Sequence, residues 1–246
     1  LPVMRQLLAV AGALTLATTV PAAAQDSLPQ PRPLPIEAKK LIPHRDSMVV
    51  LVNNQPLGTS VWGLQKQGDS LVVHELTVIG TSMRQETTVE LTRKGEPLRV
   101  TQTGMIRDVQ GGIDIRYAGS HVTGNVTAVS AEGPNQFAVD TTLPDGTVDD
   151  NSVQALLSAL PWQEGAGWNF WMYSAGTNSV SEMALFVVGK EMAMVPAGAF
   201  EAWRVRLTGG ATSVDFLVLK RAPHTLLKIE MSGAPLKYEL VSGGGL

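Results

Sequence analysis

Cysteine is absent from all 246 residues. That excludes disulfides, thiol nucleophiles and thiolate metal sites, and leaves a packed core to hold the chain together. Histidine is scarce and scattered. His44, His74, His121 and His224 are the full set, and no two stand at an H-x-H or H-E-x-x-H spacing that would clasp a metal. His74-Glu75 opens the second pattern, but Val78 stands where its second histidine belongs. No serine sits in a G-x-S-x-G elbow, and no glycine pattern leaves a strand to open a helix, which removes the hydrolase elbow and the phosphate- and dinucleotide-binding loops. Asp145-Gly-Thr-Val-Asp-Asp150 has neither the residue order nor the closing glutamate of a calcium loop. The sequence therefore offers no catalytic residue, no metal ligand and no cofactor. Charge is also thin: 17% charged residues, a formal net charge of −3, and lysines and arginines that stand apart. Without a basic field, nucleic acid is not an expected partner.

Long apolar runs are missing too, apart from one. Met4-Arg5 precedes the apolar stretch Leu7 to Thr19, and Ala22-Ala23-Ala24 offers small residues for cleavage before Gln25. Residues 1–24 read as a secretory signal peptide, since the run is too short for a membrane anchor. There is no cysteine for a lipid anchor at the cleavage site. The expectation is an exported protein, periplasmic or extracellular, soluble after cleavage and without a transmembrane segment in its mature form. Residues 25–47 carry Pro29, Pro31, Pro33, Pro35 and Pro43 and read as an extended segment.

What is abundant is alternation. From Met48 onward apolar and polar residues trade places with a period of two, the mark of half-buried strands. Expected strands are Met48–Asn53, Gly58–Gln65, Ser70–Ile79, Met83–Thr92, Leu98–Arg107, Ile113–Ala118 and His121–Thr127. After residue 160 come Asn169–Tyr173, Ser181–Val188, Glu191–Met194, a strand centred on Trp203–Leu207, Ala211–Lys220, His224–Met231 and Leu236–Val241. Trp203, Val205 and Leu207 alternate with Arg204 and Arg206, and Gly209-Gly210 suits a hairpin turn. One helix is expected over Asp149–Leu160, with Asp149 to Ser152 as N-cap candidates, an apolar face of Val153, Leu156, Leu157 and Leu160, and Pro161 as its stop. The fold class is mainly β: an antiparallel meander forming a barrel or half-barrel with one short amphipathic helix. Residues 48–241 make a single domain, and 242–246, with Gly243-Gly-Gly245, a flexible tail.

Aromatics are only 5% of the chain, yet Trp162, Trp168 and Trp171 fall close together with Phe170 and Tyr173. Such a cluster is either core or an aromatic wall for a ligand. The candidate ligand-binding residues are Trp162, Trp168, Trp171, Tyr173, Trp203 and Phe216, on a concave β face that would hold a lipid or other apolar or amphiphilic small molecule. The alternative is a structural module whose partner is another envelope protein. A third reading, an envelope hydrolase assembled in space, would be marked by a histidine within hydrogen-bond reach of a serine or carboxylate in a cleft.

Three stretches carry a family resemblance: Val148-Asp-Asp-Asn-Ser with Leu156-Leu, Leu160-Pro, Glu164-Gly and Trp168; Val195-Pro-Ala-Gly-Ala-Phe-Glu-Ala-Trp-Arg-Val; and Lys220-Arg-Ala-Pro-His-Thr-Leu-Leu-Lys-Ile-Glu230 with Ala234-Pro-Leu236. With these the chain resembles an exported bacterial family of unknown function (DUF3108-like) over about residues 70–241. The resemblance implies a β-rich barrel or half-barrel of the cell envelope, distantly similar in architecture to periplasmic lipoprotein carriers that hold acyl chains under helices. It transfers no catalytic residue.

Overall fold

The computed structural model describes residues 30–130 and 132–245. The alternation becomes strands β1 (His44–Val52), β2 (Gln55–Gln67), β3 (Ser70–Ile79), β4 (Met83–Thr92), β5 (Pro97–Ile106), β6 (Val109–Ala118), β7 (His121–Ser130) and β8 (Gly133–Thr142). A crossover follows, holding β9 (Val148–Asp149), a 3-10 turn over Asp150–Ser152 and the helix α1 (Val153–Leu157). Then come β10 (Gly167–Ser174), β11 (Ser179–Val195), β12 (Gly198–Thr208), β13 (Val214–Leu219), β14 (Leu226–Met231) and β15 (Leu236–Gly243).

All fifteen strands form one sheet, in the order β8-β7-β6-β5-β4-β3-β2-β1-β15-β14-β13-β12-β11-β10-β9. The chain enters in the middle, meanders out to β8, crosses over and meanders back until β15 lies antiparallel beside β1. Neighbours are antiparallel throughout, except β9, which runs parallel to β10. The order keeps two margins, so the sheet is not closed. It is nevertheless strongly curled, as twisted long sheets are. The short crossover touches β5 and β6 on one side and β10 on the other, strands far apart in the sheet order. Period two decides which side chains face the concavity: in β4, Val89 and Leu91 are buried at 1% and 0% exposure while Arg84 and Glu86 are exposed.

The convex face of the second meander carries an ion-pair ladder. Arg204 grips Glu191 through two hydrogen bonds of 2.6 and 2.8 Å and reaches Asp215 at 3.0 Å. Arg206 makes its own two-toothed contact with Asp215, at 2.7 and 2.9 Å. Lys228 continues the ladder between Glu230 and Glu239, each at 3.1 Å.

Four expectations meet a difference. β8 was not among the expected strands. Ser181–Val188 and Glu191–Met194 are parts of the single strand β11, whose alternation slips at a bulge between Val187 and Gly189. The helix is shorter than Asp149–Leu160, because Asp149 pairs with Tyr173 in the sheet and caps the 3-10 turn through the Asn151 N–H. Beyond Leu157 the chain coils tightly instead, with the Trp162 indole N–H donating to the Leu157 carbonyl at 2.8 Å. Finally, Gly243 lies in β15, and the Gly244 N–H donates to the Arg45 carbonyl at 3.1 Å. The expected signal peptide lies outside the described residues.

Candidate functional site

The concave face is filled by the crossover. Leu156, Leu157 and Leu160 are buried at 3%, 1% and 0% exposure and join one continuous core with inward residues of both meanders. Of the six aromatic candidates, Trp162, Tyr173, Trp203 and Phe216 are buried, whereas Trp168 and Trp171 are partly exposed. Trp162 and Trp168 meet edge to face at 5.4 Å between ring centroids. Trp203 lies at the rim of this core, with Lys190 and Lys220 over its ring at 5.3 and 5.9 Å, a favourable cation–π position. The structure thus gathers Trp162, Trp168, Tyr173, Trp203 and Phe216, but not Trp171, around one apolar mass, and that mass is occupied by the chain itself.

A polar chain fastens the occupant. Gln102 on β5 donates to Thr87 Oγ1 on β4 at 3.1 Å and to the side-chain Oδ1 of Asn151 at 3.3 Å. Asn151 donates from its backbone N–H and its side-chain amide to Asp149 Oδ1, at 2.9 and 3.1 Å. Tyr117 on β6 donates its hydroxyl to Asp149 Oδ2. Asp150 accepts from the Asn151 amide at 2.8 Å and from the Ser174 hydroxyl on β10 at 2.7 Å. Burial pushes the Asp149 carboxyl up, with the Tyr117 and Asn151 donors opposing. Burial and the neighbouring Asp149 charge push Asp150 up to about 7. The same surroundings raise both phenols: Tyr117 well above its ordinary value, and Tyr173 to about 12. A third inward acid, Glu75 on β3, is raised by burial and held by the hydroxyls of Thr77 and Ser60 at 3.0 Å.

A small cleft lies where β1, β14 and β15 meet the end of the helix, lined by His44, Trp62, Ser158, His224 and Thr225 among others. Its volume is about 40 Å³, room for about three waters and far too little for an acyl chain. His44 donates from Nδ1 to the Ile42 carbonyl at 2.7 Å and turns Nε2 toward Asp46 Oδ2 at 3.8 Å. Asp46 is fully buried, and burial raises its carboxyl, with His44 opposing. His224 is lowered by burial and donates from Nδ1 to the Leu219 carbonyl at 3.0 Å. His74–Glu86 and His121–Asp140 are exposed pairs on neighbouring strands. The marker set for a hydrolase is met in neither place: the His74–Glu86 hydrogen bond of 2.9 Å lies on an exposed strand face, and in the cleft His44 stands 3.8 Å from Asp46, beyond hydrogen-bond distance. Nor, among the described residues, does any group of three or more histidine, aspartate or glutamate side chains stand ready for a metal.

The crossover sequence that bolts the two meanders together lies inside a larger match. Residues 56–241 match the family described as "Protein of unknown function (DUF3108)". The chain belongs to the DUF3108 family. No curated protein matches this DUF3108 chain. Among solved structures it is similar to a β-barrel-like protein of the DUF1849 family from Brucella abortus, with a TM-score of 0.52 at 12% identity, covering 83% of this chain and 98% of that one. At that identity the likeness concerns the fold alone. No helix among the described residues is long and apolar enough to cross a membrane.

Reading the sequence alone singles out the aromatics and misses Tyr117, Gln102, Asn151 and Ser174 as parts of one arrangement. One signal was available. A helix start needs a single capping acid, and Asp149-Asp150 supplies two ahead of an apolar face.

Proposed function

We propose that this DUF3108 protein is a non-enzymatic, exported cell-envelope protein that holds an apolar or amphiphilic ligand on its concave face, in the space the crossover fills. The observation that supports the reading is the nature of that cover. A sheet of fifteen strands is capped on its inward apolar surface by one five-residue helix with its flanks. A two-residue strand pairing and a few side-chain hydrogen bonds anchor that cover. The pattern of residues 1–24, Met4-Arg5 before an apolar stretch and Ala22-Ala23-Ala24, reads as a leader and supports export. Displacing Leu156, Leu157 and Leu160 would expose side chains worth about 1.5–3 kcal/mol each, or about 5–9 kcal/mol together, against about 0.8 kcal/mol per ligand methylene buried. A ligand must therefore bury roughly six to eleven methylenes merely to break even, which points to a long acyl chain or its equivalent.

Native mass spectrometry of the mature protein from a bacterial periplasm tests this. A stoichiometric mass excess removed by organic extraction is expected. A clean apo mass, unchanged after incubation with envelope lipids, would overturn the reading. Trp203→Ala separates ligand surface from plain core, since a ligand role predicts greater loss of retained mass than of folded protein.

A second reading has its own observation. Of nine large apolar residues that are exposed among those described, Val180, Phe186, Val188, Met192 and Met194 all lie on β11. That concentration supports an envelope-protein partner held along β11. A complex formed with envelope extract and lost in Met192→Ser/Met194→Ser would favour it over the ligand reading.

A further inference from the structure

Asp149 and Asp150 sit side by side in the crossover, the first fully buried and the second half-buried. The groups that face them are Tyr117 from β6, Tyr173 and Ser174 from β10, and Asn151, itself held by Gln102 from β5. Among the described residues no lysine, arginine or histidine is a cause of either carboxyl's shift. Every donor in the cluster is neutral. The Asn151 amide is shared between the two acids, at 3.1 Å to Asp149 and 2.8 Å to Asp150. Such a set satisfies one buried negative charge, whereas a second beside it meets repulsion with no counter-charge.

We propose that Asp149, Asp150 and Asn151 form a proton-controlled latch. With one proton between the two carboxyls the crossover is held to both halves of the sheet; when both ionise it lets go of β6 and β10 and uncovers the concave face. This rests on the ligand reading only for what enters the opened face. The direction follows from which state carries the extra charge: the closed form binds one proton more than the open form, so raising pH favours opening. Asp150 at about 7 places the change near neutrality.

Hydrogen exchange of the full chain, without ligand and corrected for intrinsic rates, reads the latch directly. Between pH 5.5 and 8.5 the amides of residues 150–160 should lose about tenfold or more in protection relative to those of β3 and β4. Asp150→Asn removes the second charge and should make that protection independent of pH. A crossover equally protected at both pH values, or the same loss in Asp150→Asn, would overturn the latch. Should Asp150→Asn fail to fold, Ser174→Ala serves instead: it removes a donor that favours the ionised form, so the midpoint should move to higher pH, and an unmoved midpoint counts against the proposal. A pH-dependent crossover with a ligand-free mass would keep the latch and sink the ligand reading. A bound mass excess with pH-flat protection would do the reverse.

Discussion

A hydrogen at Cα is what lets β1 and β15 close over Asp46. A Cβ placed at Gly243 would lie 2.6 Å from Asp46 Oδ1, and one at Gly245 would lie 2.3 Å from Thr225 Oγ1. Asp46 is fully enclosed and cannot move aside freely, so Gly243→Ala should cost about 1–3 kcal/mol through overpacking. Asp46→Ala in the same chain restores the room, and the pair should show a coupling of about 1 kcal/mol or more in a denaturant double-mutant cycle. Simple additivity would show that the glycine matters for another reason. Tyr117 makes a similar argument from a bond instead of a gap. Tyr117→Phe leaves Asp149 Oδ2 without its donor, a loss of about 1–3 kcal/mol. Because that donor lowers the Asp149 carboxyl, its removal raises the group further, and the penalty should grow with pH in unfolding curves.

Among the elements, the ladder over β11, β12 and β13 allows a graded test. Arg204 is 26% exposed and joins three carboxylates, Glu191, Asp215 and Glu230, whereas the Lys220–Glu201 pair is 38% and 71% exposed. Arg204→Ala should cost about 1–3 kcal/mol, between the values for surface and buried pairs, and Lys220→Ala within about 0.5 kcal/mol. Equal losses in urea unfolding would mean that the ladder is only a solvated surface. The elements also differ in how plainly they were written in the sequence. β3 and β4 match their expected bounds because Gln67-Gly-Asp69, Gly80-Thr-Ser82 and Lys94-Gly-Glu-Pro97 punctuate them, and Met83–Thr92 alternates as well. β8 was hidden by Gly133-Pro-Asn-Gln136, a polar start with few β-formers, and became a strand by pairing with β7. β11 was split at Gly189-Lys190, where a bulge shifts its pairing with β12, and no local pattern announces a bulge. For the candidate site the aromatics were visible and their burial was not. The polar fastening was invisible because Tyr117 and Gln102 stand 32 and 49 residues from Asp149 and Asn151, a pairing that only the curl of the sheet creates.

At the scale of the molecule, the two faces of the sheet titrate in opposite senses. Outside, the Arg206 and Arg204 hydrogen bonds hold Asp215 below its ordinary value, and Glu230, which burial alone would raise, is held down by Lys228, Lys237 and Arg204. Inside, burial raises Asp46, Glu75, Asp149 and Asp150. A lowered carboxyl stabilises the fold above its unfolded value and loses that contribution as pH falls through the folded one. A raised carboxyl does the opposite: its contribution is complete below the unfolded value and is lost as pH climbs to the folded one. For Asp150 that window runs from 3.8 to about 7. The outer ladder therefore fails in acid, while the interior weakens steadily on the way to neutrality, and the two trends leave a stability maximum near pH 4–5, below the usual range of about 5–8. Thermal unfolding from pH 3 to 9 should show Tm falling between pH 5 and 7.5. Asp150→Asn should flatten that fall and leave the acid side unchanged, while Asp215→Asn should blunt the acid side alone. A Tm that rises from pH 5 to 8 in the wild-type chain would mean that the interior acids are ionised and compensated, and that the acidic interior does not govern the stability of this curled sheet.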